Sequence, residues 1–269
     1  MKVMASSLKK YFQIFLHLQK FNLMKKMAYP MSFLNLLATI LLVMFLHVLF
    51  IKINFNYITS LAGWTFYQVL AIVGTYMIME GFSWILFANL NSLSLQIKDG
   101  SLDGILLKPI DTQFFVSFWR GDLEDIVRII TGVCLLFLVA SNIAGITFIQ
   151  LFLFLLTLLS GIVIMYSVNL IVRCTGFWII EVTSLWLLMD KLFDNSQYPI
   201  DIYSQKLVRA FFTFVIPLAF VATVPAKMLT WKAVDWQFFG LSFLVAAGFF
   251  VLARWFWKFS LRHYSSASS

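Results

Sequence analysis

Of 269 residues, 61% are hydrophobic and only 12% are charged, while the formal net charge is +8. That much apolar side chain cannot be covered by so little polar surface in a soluble domain, so lipid is the expected solvent and a soluble enzyme is excluded. The positive charge clusters at the ends of apolar runs, where it sets membrane orientation and calls for no nucleic-acid partner.

Residues 1–29 are rich in lysine. Between Leu8 and Met24 the polar Lys9, Gln13, His17 and Lys20 recur at three- and four-residue spacing among Tyr11, Phe12, Phe15, Leu16 and Leu18. This predicts an amphipathic interfacial helix with its lysines toward anionic headgroups, the alternative being a cytoplasmic helix packed on the rest of the chain. A compact apolar segment with a small-residue cleavage site is missing here, so the segment reads as retained.

Pro30 suits a first helical turn. From Met31 to Ile51 there is no Asp, Glu, Lys or Arg, and at 1.5 Å per residue that run matches a hydrocarbon core of about 30 Å. Continuous apolarity without alternation predicts helices and not a membrane barrel. A second span is expected from Tyr57 to Ala88, with Glu80 in its last third. The polar segment 89–128 follows, carrying the charged residues from Lys98 to Asp125.

Third and fourth spans are expected at Ile129–Ile146 and Phe148–Val172, and a shorter fifth at Cys174–Met189 with Glu181 near its middle. Residues 190–235 are polar at first and then apolar over Phe211–Ala226, where Pro217 and Pro225 favour a re-entrant or interfacial hairpin. A last span fits Trp236–Trp257. The fold class expected is an all-α polytopic membrane protein with about six transmembrane helices, one permease-like domain over residues 1–269.

With the N terminus inside, fourteen of the 20 lysines and arginines fall on the cytoplasmic side, which puts both termini there. Cys134 and Cys174 lie in or beside spans and imply no disulfide framework. Neither HExxH, CxxC nor GxSxG spacing occurs, and His17, His47 and His263 are far apart, so no catalytic, metal or cofactor site is expected. There is no GxxxxGK[ST] loop either; ATP with its Mg would have to be handled by a partner.

Gln96–Ile110 reads QIKDGSLDGILLKPI, and YPIDIY (Tyr198–Tyr203) precedes FVIPLAFVATVPAKML (Phe214–Leu229). Together these resemble permeases of the type-2 (exporter) family of ABC transporters, and the likeness runs over essentially the whole chain. It implies two permeases, of the same or a related chain, working with two cytoplasmic ATPase subunits, in the plasma (inner) membrane and in the direction of export. It also implies that the loop between spans two and three docks on the ATPase, through Gly100, Leu102, Asp103, Gly104, Ile105, Leu106, Leu107, Lys108 and Pro109. Tyr198, Pro199, Pro217 and Pro225 belong to the external region that the family carries before its last span.

The docking loop is physically suited to that role. Gly100 and Gly104 permit tight turns, Ile105, Leu106 and Leu107 make an apolar knob, and Pro109 ends the helix. Intramembrane charge is the other informative class, since each such group is costly in lipid unless paired or wet. Glu80, Arg173 and Glu181 are expected near a cytoplasmic gate, Arg173 pairing with one of the glutamates or all three reaching for headgroups. Trp64, Trp84, Trp231, Trp236, Trp255 and Trp257 read as an interfacial belt. The rival reading is an ATP-independent secondary transporter or channel, against which stands the lack of repeated, internally broken spans.

Overall fold

The computed structural model of the chain describes residues 11, 13–22, 24, 30–143, 145–179 and 183–264. Among them every regular element is a helix, apart from one isolated bridge between Leu61 and Trp64. The all-α expectation holds, because in hydrocarbon each backbone amide must find its partner within its own segment.

The helices are α1 (residues 13–22), α2 (Pro30–Phe55), α3 (Phe66–Phe87), α4 (Leu93–Lys98), α5 (Ser101–Leu106), α6 (Thr112–Phe118), α7 (Ile126–Asn142), α8 (Phe148–Cys174), α9 (Thr183–Asp194), α10 (Lys206–Ala210), α11 (Val224–Thr230) and α12 (Trp236–Arg262). Four stretches are long and apolar enough to cross a bilayer: Leu37–Phe55, Phe66–Lys98, Phe148–Phe177 and Trp236–Arg262. Helix α7 has 17 residues, a rise of about 26 Å. Two of the long helices start on a Thr-x-x-Gln sequence. The backbone N–H of Thr65 donates to Gln68 Oε1 at 2.9 Å, and that of Thr147 to Gln150 Oε1 at 2.8 Å, satisfying donors that a helix start leaves open.

Helices α3 and α7 run against each other backbone to backbone. A Cβ on Gly132 would sit 2.5 Å from the Gly74 carbonyl oxygen and 2.8 Å from Ile78 Cγ1, so only glycine allows the approach, as at many membrane helix interfaces. Gly132→Leu should therefore prise the pair apart and cost about 3 kcal/mol of stability. Thermal unfolding in detergent tests this, with Phe137→Leu on the exposed face of the same helix as the control; equal midpoints for the two variants would refute the close packing.

The expected fifth span is not a single helix. Helix α8 continues through Cys174 and closes in a turn at Thr175–Phe177, and among the described residues α9 spans 12, about 18 Å and short of a full crossing. Asp190, Lys191 and Asp194 follow on α9, where apolar residues would be needed to prolong it in lipid. The chain goes on through short turns at Asn195–Gln197 and Ile200–Ile202.

Next, Lys206–Val215 and Ala219–Thr230 form a pair of helices bent by 73°. The bend contains Pro217, which has no N–H to continue a helix. Both ends of this hairpin reach the same place. Arg209 pairs with Asp201, whose other carboxylate oxygen accepts the Trp64 indole N–H at 2.9 Å, and Trp231 lies 5.5 Å from Trp64. The buried Phe220 lies between: a Cβ on Gly161 of α8 would meet its carbonyl oxygen at 2.8 Å and Met79 Cε at 2.3 Å.

The bundle thus has two distinct ends. One gathers Trp64, Asp201, Trp231 and Gln150, whose amide donates to the Trp231 carbonyl at 2.8 Å. The other carries α4, α5 and α6, packed on the ends of α3, α8 and α12 through Phe87, Leu93, Leu102, Phe115, Leu170 and Trp257. The tryptophan belt is only partly realised. Trp236 and Trp255 are exposed, but Trp64 and Trp257 are fully buried and anchor the two ends of the core, since the indole brings a large apolar body and a single donor.

Candidate functional site

Two sites stand out, an elbow at one end of the bundle and a charged cleft within it. The elbow begins where Asp99 accepts hydrogen bonds from the Ser101 backbone N–H (2.9 Å) and hydroxyl (2.7 Å); these hold the Asp99 carboxyl below the usual range. Gly100 takes φ +73° before α5, a left-handed conformation that glycine adopts without strain. The expected apolar knob divides in two. Leu102 and Ile105 face inward and are buried, whereas Leu106 and Leu107 point outward, Leu107 with 87% of its surface exposed. Spacing decides this, since positions three apart share a helix face and their neighbours do not.

Asp103 is half-buried, Gly104 and Pro109 are exposed, and Gly104 has open space where a Cβ would sit. Lys108 folds back, its Nζ 4.3 Å from the centre of the Phe115 ring and 5.1 Å from that of Trp119. Leu95 on α4 is exposed as well. Exposed leucines on such a short, well-tied unit mark a contact with a partner or with lipid.

The elbow is lashed to the bundle. Asp111 caps α6, accepting from the Phe114 N–H at 2.9 Å, and receives Arg254 Nη2 of α12 at 2.7 Å. Burial acts to raise the Asp111 carboxyl, but the Arg254 guanidinium and the backbone donors prevail and hold it below the usual range. Gln113 donates to the Tyr166 hydroxyl of α8 at 2.9 Å, and Ser117 lies 3.0 Å from the same oxygen. Helix α1 completes the elbow: the Asp111 N–H donates to the Tyr11 hydroxyl at 3.1 Å, and the Tyr11 and Phe114 rings are 4.8 Å apart. Its opposite face is mixed, leaving Leu16 and Phe21 exposed beside Gln13, His17 and Lys20.

The cleft lies between α3, α8 and α9. A cavity of about 310 Å³ is lined by Tyr76, Glu80, Trp84, Asn91, Asn169, Arg173, Trp186, Asp190, Lys191 and Asp194, among others. The expected pairing of Arg173 with Glu80 does not form. Glu80 takes Arg128 Nη1 at 2.8 Å, and the same guanidinium reaches Asp125 through Nε at 2.6 Å. Arg128 opens α7, which lies along α3, whereas Arg173 stands on α8 and is held by Asn169 (2.7 Å), by Asn91 and by the face of Trp186 at 5.6 Å. Glu181, the other expected partner, lies outside the described residues.

Asp194 accepts from the Tyr76 hydroxyl and from Lys191, both at 2.9 Å. Of the residues expected in the later region, Tyr198 lies 5.8 Å from the His47 ring, Pro199 and Pro217 are buried, and Pro225 sits in the first turn of α11. The N–H it lacks interrupts the hydrogen-bond ladder of the helix Ala219–Thr230, where the wide turn Ala219–Thr223 passes into α11.

The family described as ABC-2 family transporter protein matches residues 36–268. The chain belongs to that family. Comparison with curated proteins and with solved structures finds no match. As an ABC-2 protein the chain is a membrane permease of an ABC transporter, a transport component and not itself an enzyme. The match spans the cleft, the hairpin and the elbow apart from α1. Sequence reasoning missed five of the ABC-2 chain's organising residues: Asp111, Arg128, Asp190, Asp194 and Arg254. Arg254 carried a readable signal, a guanidinium inside an apolar helix, and Asp111 carried another, an acidic residue just before a helical run.

Proposed function

We propose that the chain is the membrane-spanning half-unit of an exporter, acting as a dimer with itself or a related permease and driven by separate cytoplasmic ATPase subunits. The observation that supports this best is the elbow: Leu95, Leu106 and Leu107 exposed on a unit tied to α8 by Gln113–Tyr166 and to α12 by Asp111–Arg254. An apolar grip on a moving partner, rigidly joined to two long helices, is what force transmission requires. Export, the plasma membrane and the cytoplasmic termini rest on the resemblance and on the lysine and arginine balance.

In this reading the elbow is cytoplasmic and the Trp64 end external. Six crossings then follow from α2, α3, α7, α8, the broken passage from α9 to Ile202, and α12. The hairpin 206–230 is re-entrant from outside. Lipid and the second permease cover the exposed apolar flanks of α2, α7 and α12.

Affinity purification of the tagged protein from its own membrane in mild detergent, followed by an ATP hydrolysis assay, tests the reading. Recovery of a nucleotide-binding ATPase, with one or two kinds of permease, is the expected outcome. A lone protein under several detergents and after cross-linking would overturn it in favour of ATP-independent transport.

A further inference from the structure

Charge in the cleft is almost wholly accounted for, and the exceptions are informative. Glu80 is neutralised by Arg128, and Asp194 by Lys191 with help from the Tyr76 hydroxyl. Two groups remain. Arg173 is buried, with 4% of its surface exposed, and its guanidinium meets only neutral partners among the described residues, the amides of Asn169 and Asn91 and the Trp186 ring. Its Nε–H is buried with no acceptor among the described residues. The carboxylate that acts on it is Asp190, yet no ion pair within 4.0 Å joins the two.

A buried guanidinium without a counter-ion is expensive, and a buried N–H without an acceptor adds to the cost. Asn169, itself bonded to the Met165 carbonyl, helps to hold the Arg173 guanidinium inside the bundle. An opposed, unjoined cation and anion on the wall of one cavity are complementary to a ligand that carries both signs. A purely anionic ligand would leave Asp190 unanswered, and a purely cationic one would leave Arg173 unanswered. Trp84, Phe87, Trp186 and Leu187 line the same space and supply apolar and aromatic wall, as small-molecule sites generally do around a few placed polar groups.

We propose that this cleft is the loading site of the permease and takes a zwitterionic amphiphile, its carboxylate or phosphate on Arg173, its ammonium on Asp190 and its apolar body against the two tryptophans. The inference rests on the permease reading for its place in transport, but the binding itself needs no ATPase.

The test uses the full-length protein alone in lipid nanodiscs, with empty discs subtracted, and three matched probes: N-octyl-β-alanine (zwitterion), octanoate (anion) and octylamine (cation). Binding is read by calorimetry. The wild type should bind the zwitterion about tenfold tighter than either singly charged probe, as one extra charge-assisted contact provides. Arg173→Gln should reduce the zwitterion to the level of octylamine, and Asp190→Asn should reduce it to the level of octanoate.

Equal binding of the three probes by the wild type would overturn the proposal. So would a zwitterion preference that survives both substitutions, the result expected if Glu181 already neutralises Arg173. If Arg173→Gln does not fold, Asp190→Asn decides alone, because Asp190 is half-buried and makes no ion pair within 4.0 Å among the described residues. Recovery of an ATPase in the purification together with equal probe binding would remove this inference and leave the permease reading standing.

Discussion

Leu107→Asp is expected to detach the ATPase while leaving the bundle folded. Leu107 has 87% of its surface exposed and touches no part of the core, whereas Leu102, one turn earlier, is fully buried. A carboxylate at Leu107 costs the isolated permease almost nothing, but in a partner's apolar groove it would be an unpaired buried charge, worth several kcal/mol against association. Co-purification should fall below detection and the thermal midpoint should be unchanged. Leu102→Asp is the converse case, in which the protein itself unfolds. Retained ATPase in a folded Leu107→Asp protein would sink the docking assignment.

Arg128→Met should be strongly destabilising. One guanidinium serves two carboxylates, Glu80 at 2.8 Å and Asp125 at 2.6 Å, and its removal leaves two acids facing each other in a poorly hydrated space. Breaking one side of such a cluster costs about 3 kcal/mol. Adding Glu80→Gln to Arg128→Met should recover part of that loss, because the second change removes one of the stranded charges. Thermal unfolding of the two single variants and the double variant measures the coupling, and strictly additive losses would mean that the contact carries no energy. Arg128→Lys should rescue incompletely, since an ammonium cannot replace a fork that uses Nη1 for one partner and Nε for the other.

Much of this was legible in the sequence because lipid makes a strict reader. An uncharged run such as Met31–Ile51 has few folds open to it, and α2, α8 and α12 stand where apolarity placed them, whereas α3 begins at Phe66 and not at Tyr57, because turns occupy the residues between. The elbow was legible too, through glycine, paired aliphatics and Lys-Pro, although the division of the knob into buried Ile105 and exposed Leu106 and Leu107 required knowing which way α5 faces. The fifth span misled because Cys174–Met189 is apolar enough, and only the packing reveals that α8 continues through Cys174 while α9 starts afresh.

Partner choice was the least legible. Arg173 finds Asn91 across 82 positions and Arg254 finds Asp111 across 143. Nothing local records such distances, and intramembrane charge announces only that some partner exists. Tryptophan misled for a related reason: Trp64 and Trp236 look alike in sequence, and it is the Asp201 acceptor that draws Trp64 into the interior.

The unequal lengths of the long helices bear on the membrane itself. In the six-crossing reading, α7 brings about 26 Å of helix to a hydrocarbon layer of about 30 Å, and α12, with 27 residues, brings about 40 Å. Tilting accommodates the long helix, but nothing lengthens the short one, so lipid along the α7 flank must thin to meet it at a cost of fractions of a kcal/mol per Å. Acyl-chain length thereby becomes a load on the α3–α7 seam, where Gly74 and Gly132 leave no side chain to yield, and membrane composition tunes this permease before any cargo reaches it.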